Sequence, residues 1–172
     1  MTITYRNAAV KDAPLIQRLF RDSFVDTFGH LYSHHDLDAF LGKFTLQAWQ
    51  AELANPQFAI RIAEEAGEAA GFAKMGPLSV PFDTDARALE LRQLYLLPPW
   101  KGRGIAAALM DWVLAEMGRR GAEEAVLSVY ADNHRARRFY ERYGFDYAGT
   151  YAFMVGSQAD EDLIMRLALE EE

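Results

Sequence analysis

The chain has no cysteine. Disulfide crosslinks, thiol nucleophiles and thiolate metal sites are excluded, and a reducing compartment is compatible with that composition. Long apolar runs are also missing. No window approaches the roughly 20 residues that a membrane-spanning helix needs. Met1 to Asn7 lacks the basic region and apolar run of a secretory leader. Positive charge is scarce: 18 Lys and Arg stand against 25 Asp and Glu, for a net charge of −7. That balance disfavours nonspecific nucleic-acid binding, which needs a basic stripe. It weakly favours cationic partners. No Pro- or Gly-rich linker, internal repeat or low-complexity tract interrupts the chain. A soluble, cytoplasmic protein of one domain spanning residues 1–172 is expected, with neither nucleic acid nor membrane as partner.

Apolar residues make up 51% of the chain, enough for a large core, and 25% are charged, which argues against wholesale disorder. Ile3 to Asn7 alternates like a short strand. Asp12 is placed to cap the helix that follows, with Pro14 tolerated in its first turn. Leu15, Ile16, Leu19, Phe20, Phe24 and Phe28 give that helix one apolar face, and Gly29 stops it. Short helices are expected from Ser33 or His34 to Leu41, and from a Thr45 cap to just before Pro56. Phe58 to Glu65 and Ala69 to Met75 read as a hairpin turning at Gly67, followed by a loop from Gly76 to Asp85. Then come a strand (Leu89 to Leu97), a helix (Ile105 to Arg119), a strand (Ala125 to Val129) and a helix (Asn133 to Tyr143) ended by Gly144. Two last strands, about Asp146 to Val155 and Leu163 to Leu169, flank an acidic loop at Asp160, Glu161 and Asp162. This order predicts an α/β fold: a mixed sheet with helices on both faces and a right-handed parallel crossover in its middle.

The stretch from Leu94 to Leu109 carries the most information. A strand ends at Pro98 and Pro99, Gly102 and Gly104 follow in a basic turn, and an amphipathic helix starts near Ile105. A glycine turn at a helix N-terminus leaves backbone N–H groups without intrahelical partners. With the helix dipole they form a site for phosphate oxygens, so a phosphorylated cofactor is expected here. The strand before the turn changes phase. Leu89 and Leu91 share one face of a period-two pattern, Leu94 and Leu96 the other, and Arg92 and Gln93 sit at the break. A one-residue shift is what a β-bulge produces, and a bulge would splay the strand from its parallel neighbour. A strand buried on both faces would show the same pattern without a bulge.

Lys101-Gly-Arg-Gly-Ile-Ala106 resembles the acetyl-CoA pyrophosphate loop of the GNAT superfamily of N-acetyltransferases, in which Gln or Arg is followed by two residues, Gly, one residue, then Gly or Ala. Gly104 and Ala106 match; Lys101 replaces the usual Gln or Arg. Asn133-His-Arg-Ala-Arg-Arg-Phe-Tyr-Glu-Arg-Tyr-Gly-Phe145 looks like the helix that follows in that family. The two patterns, in order, span about the C-terminal half. A narrower likeness joins Gly149 to Gly156, Asp162 to Met165 and Phe24 to Phe28 to the PaiA-type spermidine/spermine acetyltransferases.

The resemblance implies a GNAT fold: a mixed, mostly antiparallel central sheet with a splayed parallel pair and helices on both faces. It implies acetyl transfer from acetyl-CoA to an amine by direct attack in a ternary complex. Backbone N–H groups of Lys101, Gly102, Arg103, Gly104, Ile105, Ala106 and Ala107 would hold the pyrophosphate. Tyr95, Leu96 and Leu97 would pair with the pantetheine arm. Tyr140 matches the family tyrosine that protonates the departing thiolate; an ordinary tyrosine titrates near 10 and a thiol near 8.5, so the donor is protonated at neutral pH. Helical spacing with Ala136, Phe139 and Tyr143 also fits Tyr140 as core. Asn133 caps its helix and, in the family, also touches the cofactor.

An amine resembling lysine, with a pKa of about 10.4, is neutral in roughly one molecule in 2,500 at pH 7, so the reaction needs a proton acceptor. Glu90, fourteen residues before Gly104, stands at the position of the general base in some family members. The alternative is a surface carboxylate paired with Arg92. His30, His34 and His35 complete no metal pattern, and no metal is expected; they are candidates to line the acceptor cleft. Asp36 and Asp38, and the Asp160 to Asp162 run, either attract a cationic acceptor or are simply solvated. The expected acceptor is a polyamine or other small amine, with a protein N-terminus or lysine as the second choice. A CoA-binding sensor or scaffold without catalysis, and an unrelated nucleotide-binding domain, are the rival readings. Members of the family are often homodimers, so a homodimer is open.

Overall fold

In the computed structural model, which describes residues 2–170, the elements run β1 (Ile3–Asn7), α1 (Ala13–Phe28), α2 (His34–Leu41), α3 (Leu46–Ala54), β2 (Ala59–Glu65), β3 (Glu68–Pro77), β4 (Ala88–Leu96), α4 (Ile105–Arg119), β5 (Glu124–Tyr130), α5 (His134–Arg142), β6 (Asp146–Val155) and β7 (Gln158–Ala168). The strands form one sheet in the order β1-β2-β3-β4-β5-β7-β6. Only β4 and β5 are parallel neighbours, joined across α4; the other pairs are antiparallel. No helix among the described residues is long and apolar enough to cross a membrane.

Each face of the sheet is covered because each helix has one apolar side. Ile105, Leu109, Met110, Val113 and Met117 recur at helical spacing on α4 and are fully buried against β2, β3 and β4. Burying such side chains contributes roughly 1.5–3 kcal/mol each. On the other face Ile16, Leu19, Phe20 and Phe24 of α1 close over Ile60, Ile62 and Phe72, with Trp49 of α3. Ser33 and Thr45 cap α2 and α3 through their hydroxyls, at 3.1 Å each.

The bulge is where the phase break placed it. In the β3–β4 ladder Met75 faces Leu91 while Lys74 faces Gln93, which leaves Arg92 as the extra residue. Its guanidinium turns back onto the Pro77 carbonyl, with Nε at 2.9 Å. Beyond the bulge β4 bends away from β5. Their pairing covers only Ala88–Glu90 against Glu124–Val126. From there on, β4 and β5 present unpaired edges to each other.

Two expectations fail here. Asp160, Glu161 and Asp162 are not in a loop: they lie in β7, and the turn comes earlier, at Gly156 and Ser157. The acids had masked the alternation, because Asp160 and Asp162 point inward in phase with Ile164. Asp12 does not cap α1 with its side chain. Its carboxylate takes both Arg6 nitrogens at 2.9 Å and the Ala9 N–H at 2.8 Å, so it ties β1 to the turn before α1.

Candidate active site

The opening between β4 and β5 leads into a cleft of about 770 Å³. At one end lies the glycine turn. Pro98–Trp100 make a 3-10 turn whose closing bond runs from the Lys101 N–H to the Pro98 carbonyl at 3.2 Å. Gly102 and Gly104 then adopt φ of +79° and +80°, the left-handed region that costs other residues roughly 1–2 kcal/mol. The first helical bond of α4 is Ala108 N–H to Gly104 carbonyl at 3.1 Å. The N–H groups of Gly102, Arg103, Gly104, Ile105, Ala106 and Ala107 therefore have no acceptor among the described residues. A Cβ on either glycine would meet nothing within 4 Å, so the space over these amides is open. Such a nest at a helix start suits an anion.

Two expected cofactor contacts need correction, at Lys101 and Leu97. The Lys101 amide is spent on Pro98, although its side chain still lines the cleft. The Arg103 N–H stays free, while its side chain holds Glu65 with both terminal nitrogens, at 3.2 and 2.5 Å. The Leu97 N–H donates to Ala70 at 2.9 Å and the residue leaves the cleft wall. Tyr95 and Leu96 stay in it, on the open edge of β4.

Tyr140 of α5 lines the same cleft. Tyr143 docks that helix: its hydroxyl reaches the Ala107 carbonyl at 3.0 Å and Asp111 at 2.8 Å. Asn133 caps the helix by accepting the Ala136 N–H at 3.3 Å and also lines the cleft. Burial pushes the Tyr140 phenol up to about 12, and its hydroxyl has no protein partner among the described residues. It remains protonated across the physiological range. Tyr95 is raised too, by burial first and then by the neighbouring Tyr140 and Asp162. Its ring also packs against Phe20 and Phe72, at 5.7 and 6.2 Å between centroids.

The far end is acidic and aromatic. Glu90 is buried, not the surface carboxylate of the alternative reading. It accepts the Ser79 and Val80 N–H groups at 2.8 and 3.1 Å and the Ser79 hydroxyl at 2.9 Å, with Arg92 at 3.4 Å. Asp160 and Asp162 open into the same space beside Phe24, Phe28, Tyr32 and Tyr130. The Tyr32 hydroxyl donates to Asp160. Ser128 and Tyr151 share a hydrogen bond of 3.1 Å next to Asp162. Burial, reinforced by Asp160, pushes the Asp162 carboxyl from its ordinary 3.8 up to about 7.

The histidine expectation fails: His30, His34 and His35 are exposed and outside the cleft. Asp36 is not an acceptor group either; its carboxylate anchors the Ser157 N–H and hydroxyl at 2.8 Å each. Asp38 is exposed. No group of three or more potential metal ligands occurs among the described residues. The Asp160 to Asp162 run is a candidate by charge alone; what the sequence reading lacks is its place in a strand. The signal was available, since Asp160, Asp162 and Ile164 keep a strict period of two.

Residues 16–145 match the acetyltransferase (GNAT) family. This chain belongs to that family. It is an N-acetyltransferase with acetyl-CoA as co-substrate. An uncharacterised N-acetyltransferase of Mycobacterium tuberculosis is 40% identical over 113 residues, 66% of this chain and 69% of that protein. Among solved structures, the PaiA N-acetyltransferase of Thermoplasma acidophilum in complex with coenzyme A superposes with a TM-score of 0.78 at 21% identity, covering 98% of this chain and 99% of that one. The yncA protein of Salmonella typhimurium with acetyl-CoA gives 0.70 at 20% identity, covering 100% and 96%. The GNAT sheet is the one described above, with a single parallel pair that splays at β4 and β5.

Proposed function

We propose that this GNAT enzyme acetylates a small cationic amine, a polyamine being the first candidate, inside the cleft between β4 and β5. The observation that carries this reading is the set of groups that share that one opening. Residues with unpartnered amides, an uncharged phenol, and buried carboxylates with aromatic rings all line it. The amides around Gly102–Ala107 fit a diphosphate. The open edge at Tyr95 and Leu96 offers main-chain groups to the amide-bearing arm of the co-substrate, which supplies the acetyl group as an activated thioester. Tyr140 stabilises and protonates the leaving sulfur. Without a cysteine, no protein thiol carries the acetyl group, and attack by the amine is direct.

The test is thiol release over a panel of spermidine, putrescine and N-terminal peptides, beside CoA-induced thermal stabilisation. Tyr140→Phe should lower kcat by about 100-fold or more, the scale of lost general-acid catalysis, while the CoA-induced shift stays as in the wild type. Wild-type turnover of peptides but not of small amines would refute the acceptor class. Undiminished kcat in Tyr140→Phe would remove the phenol from the mechanism.

A further inference from the structure

Five carboxylates are buried among the described residues: Asp12, Glu90, Glu124, Asp160 and Asp162. Three have a cation within ion-pair distance. Asp12 pairs with Arg6 at 2.9 Å, Glu90 with Arg92 at 3.4 Å, and Glu124 with Arg166. Asp160 and Asp162, each only 7% exposed, have none among the described residues. Their hydrogen-bond donors are neutral: Tyr32 and the Gln158 amide, at 2.9 Å, on Asp160, and Ser128 on Asp162. Desolvating a carboxylate without a counter-ion is costly, so two such charges side by side call for a cation. Both line the cleft, two positions apart on β7 and therefore on the same face of the strand.

The surroundings point to the missing partner. Phe28 and Tyr130 meet edge to face at 6.2 Å, and Phe24 and Tyr32 stack at 6.1 Å, giving the acids an aromatic wall. Rings and carboxylates together select an ammonium ion. The groups around Asp162 are Tyr95 and Glu90 of β4, Ser128 and Tyr130 of β5, Tyr151 of β6, Tyr32 before α2, and Asp160 on its own strand. The cations that line the cleft are engaged elsewhere: Lys74 with Glu52, Arg92 with Glu90, and Lys101 with Asp26. Arg135 and Arg142 lie exposed on α5 and bond to neither aspartate.

We propose that Asp160 and Asp162 form the subsite that binds the acceptor as an ammonium ion, and that Asp162 then takes the proton that frees its nitrogen for attack. This rests on the acetyltransfer reading above. Glu90 is the weaker choice because its oxygens are already occupied by Ser79, Val80 and Arg92, and protonation would break the contacts that hold that loop. The proton count closes. Of the three on the ammonium nitrogen, Asp162 removes one and passes it to solvent, and one stays on the product amide. The third leaves nitrogen as the new C–N bond forms and the C–S bond breaks, and it replaces the proton Tyr140 gives to sulfur. Tyr95 feels the field of both Tyr140 and Asp162.

The test follows thiol release with spermidine from pH 5.5 to 9.5, with CoA-induced thermal stabilisation as the folding and loading control. Wild-type kcat/KM should rise with pH through a limb near 7, the free-enzyme titration of Asp162. Asp162→Asn should lose that limb and about 100-fold or more in kcat at pH 8, with the CoA shift intact. Asp160→Asn should move the limb to lower pH, because the like charge that raises Asp162 is gone. An unchanged limb and kcat in Asp162→Asn would overturn the proposal. If the wild type does not acetylate spermidine although CoA stabilises it, the polyamine reading fails, and calorimetric binding of spermidine decides the subsite on its own. Binding to the wild type that is lost in Asp162→Asn upholds it. Equal binding in both, or none in either, overturns it.

Discussion

Replacing Asp162 with Asn should stabilise the free enzyme at alkaline pH and leave it unchanged in acid. The folded chain holds the Asp162 proton up to about 7, whereas the unfolded chain releases it near 3.8. Between those values the native state binds more protons than the unfolded state, so stability falls as pH rises through that window. The gap corresponds to about 4 kcal/mol once Asp162 is fully ionised, at 1.36 kcal/mol for each pH unit. At 7% exposure little of that is lost to solvent screening. An amide of the same shape carries no charge to desolvate, so Asp162→Asn should gain about 2–4 kcal/mol at pH 8 and nearly nothing at pH 4. For a chain of this size each kcal/mol moves Tm by roughly 2–4 °C. Calorimetry on both proteins at pH 4, 6 and 8, without amine, measures the difference; titrating groups that do not feel the Asp162 charge cancel between them. A variant less stable than the wild type at pH 8, or a difference that does not grow with pH, would refute the claim that Asp162 is a strained, uncompensated charge.

Two glycines give further predictions of opposite kind. Gly156→Ala should be destabilising, because a Cβ there would sit 2.5 Å from the Asp36 Cα at φ +58°, and backbone cannot yield as a side-chain tip can. Overpacking of this sort costs about 1–3 kcal/mol and the left-handed φ about 1 more, so Tm should fall by roughly 5 °C or more; an unaltered Tm would show that α2 does not brace the β6–β7 turn. Gly104→Ala should cost the fold only the left-handed strain of about 1–2 kcal/mol, since its Cβ would enter open space. It should weaken CoA at least tenfold by calorimetry, because the added methyl stands over the unpartnered amides; CoA affinity equal to that of the wild type would place the diphosphate elsewhere.

Much of the fold could be read from local pattern. The helix faces of α1 and α4, the caps at Ser33, Thr45 and Asn133, and the bulge at Arg92 all follow from rules of spacing that act within a few residues. Asp12 was misread because its carboxylate has two possible local uses, and the choice between them was made by Arg6 and Glu64 across a strand pair. The acids of β7 were misread for a related reason. A charged residue in a strand argues against burial unless its surroundings are known, and here those surroundings come from β5, β6 and the α1–α2 connection together.

The same distinction separates the two ends of the cleft. The amide nest at Gly102–Ala107 is built by consecutive residues, so it is visible in the chain as written. The acceptor end is assembled from Glu90, Ser128, Tyr151, Asp162 and Tyr32, which come from five separate elements and meet only because β4 leaves β5 after Glu90. Without the extra residue at Arg92, the β4–β5 ladder would continue and close over the space where Tyr95 and Tyr140 now approach Asp162. The bulge therefore sets how far apart the diphosphate end and the carboxylate end lie. On the proposed reading, acceptor choice is set by the aspartates and rings that the opening uncovers, and it is separate from the loop that marks the family.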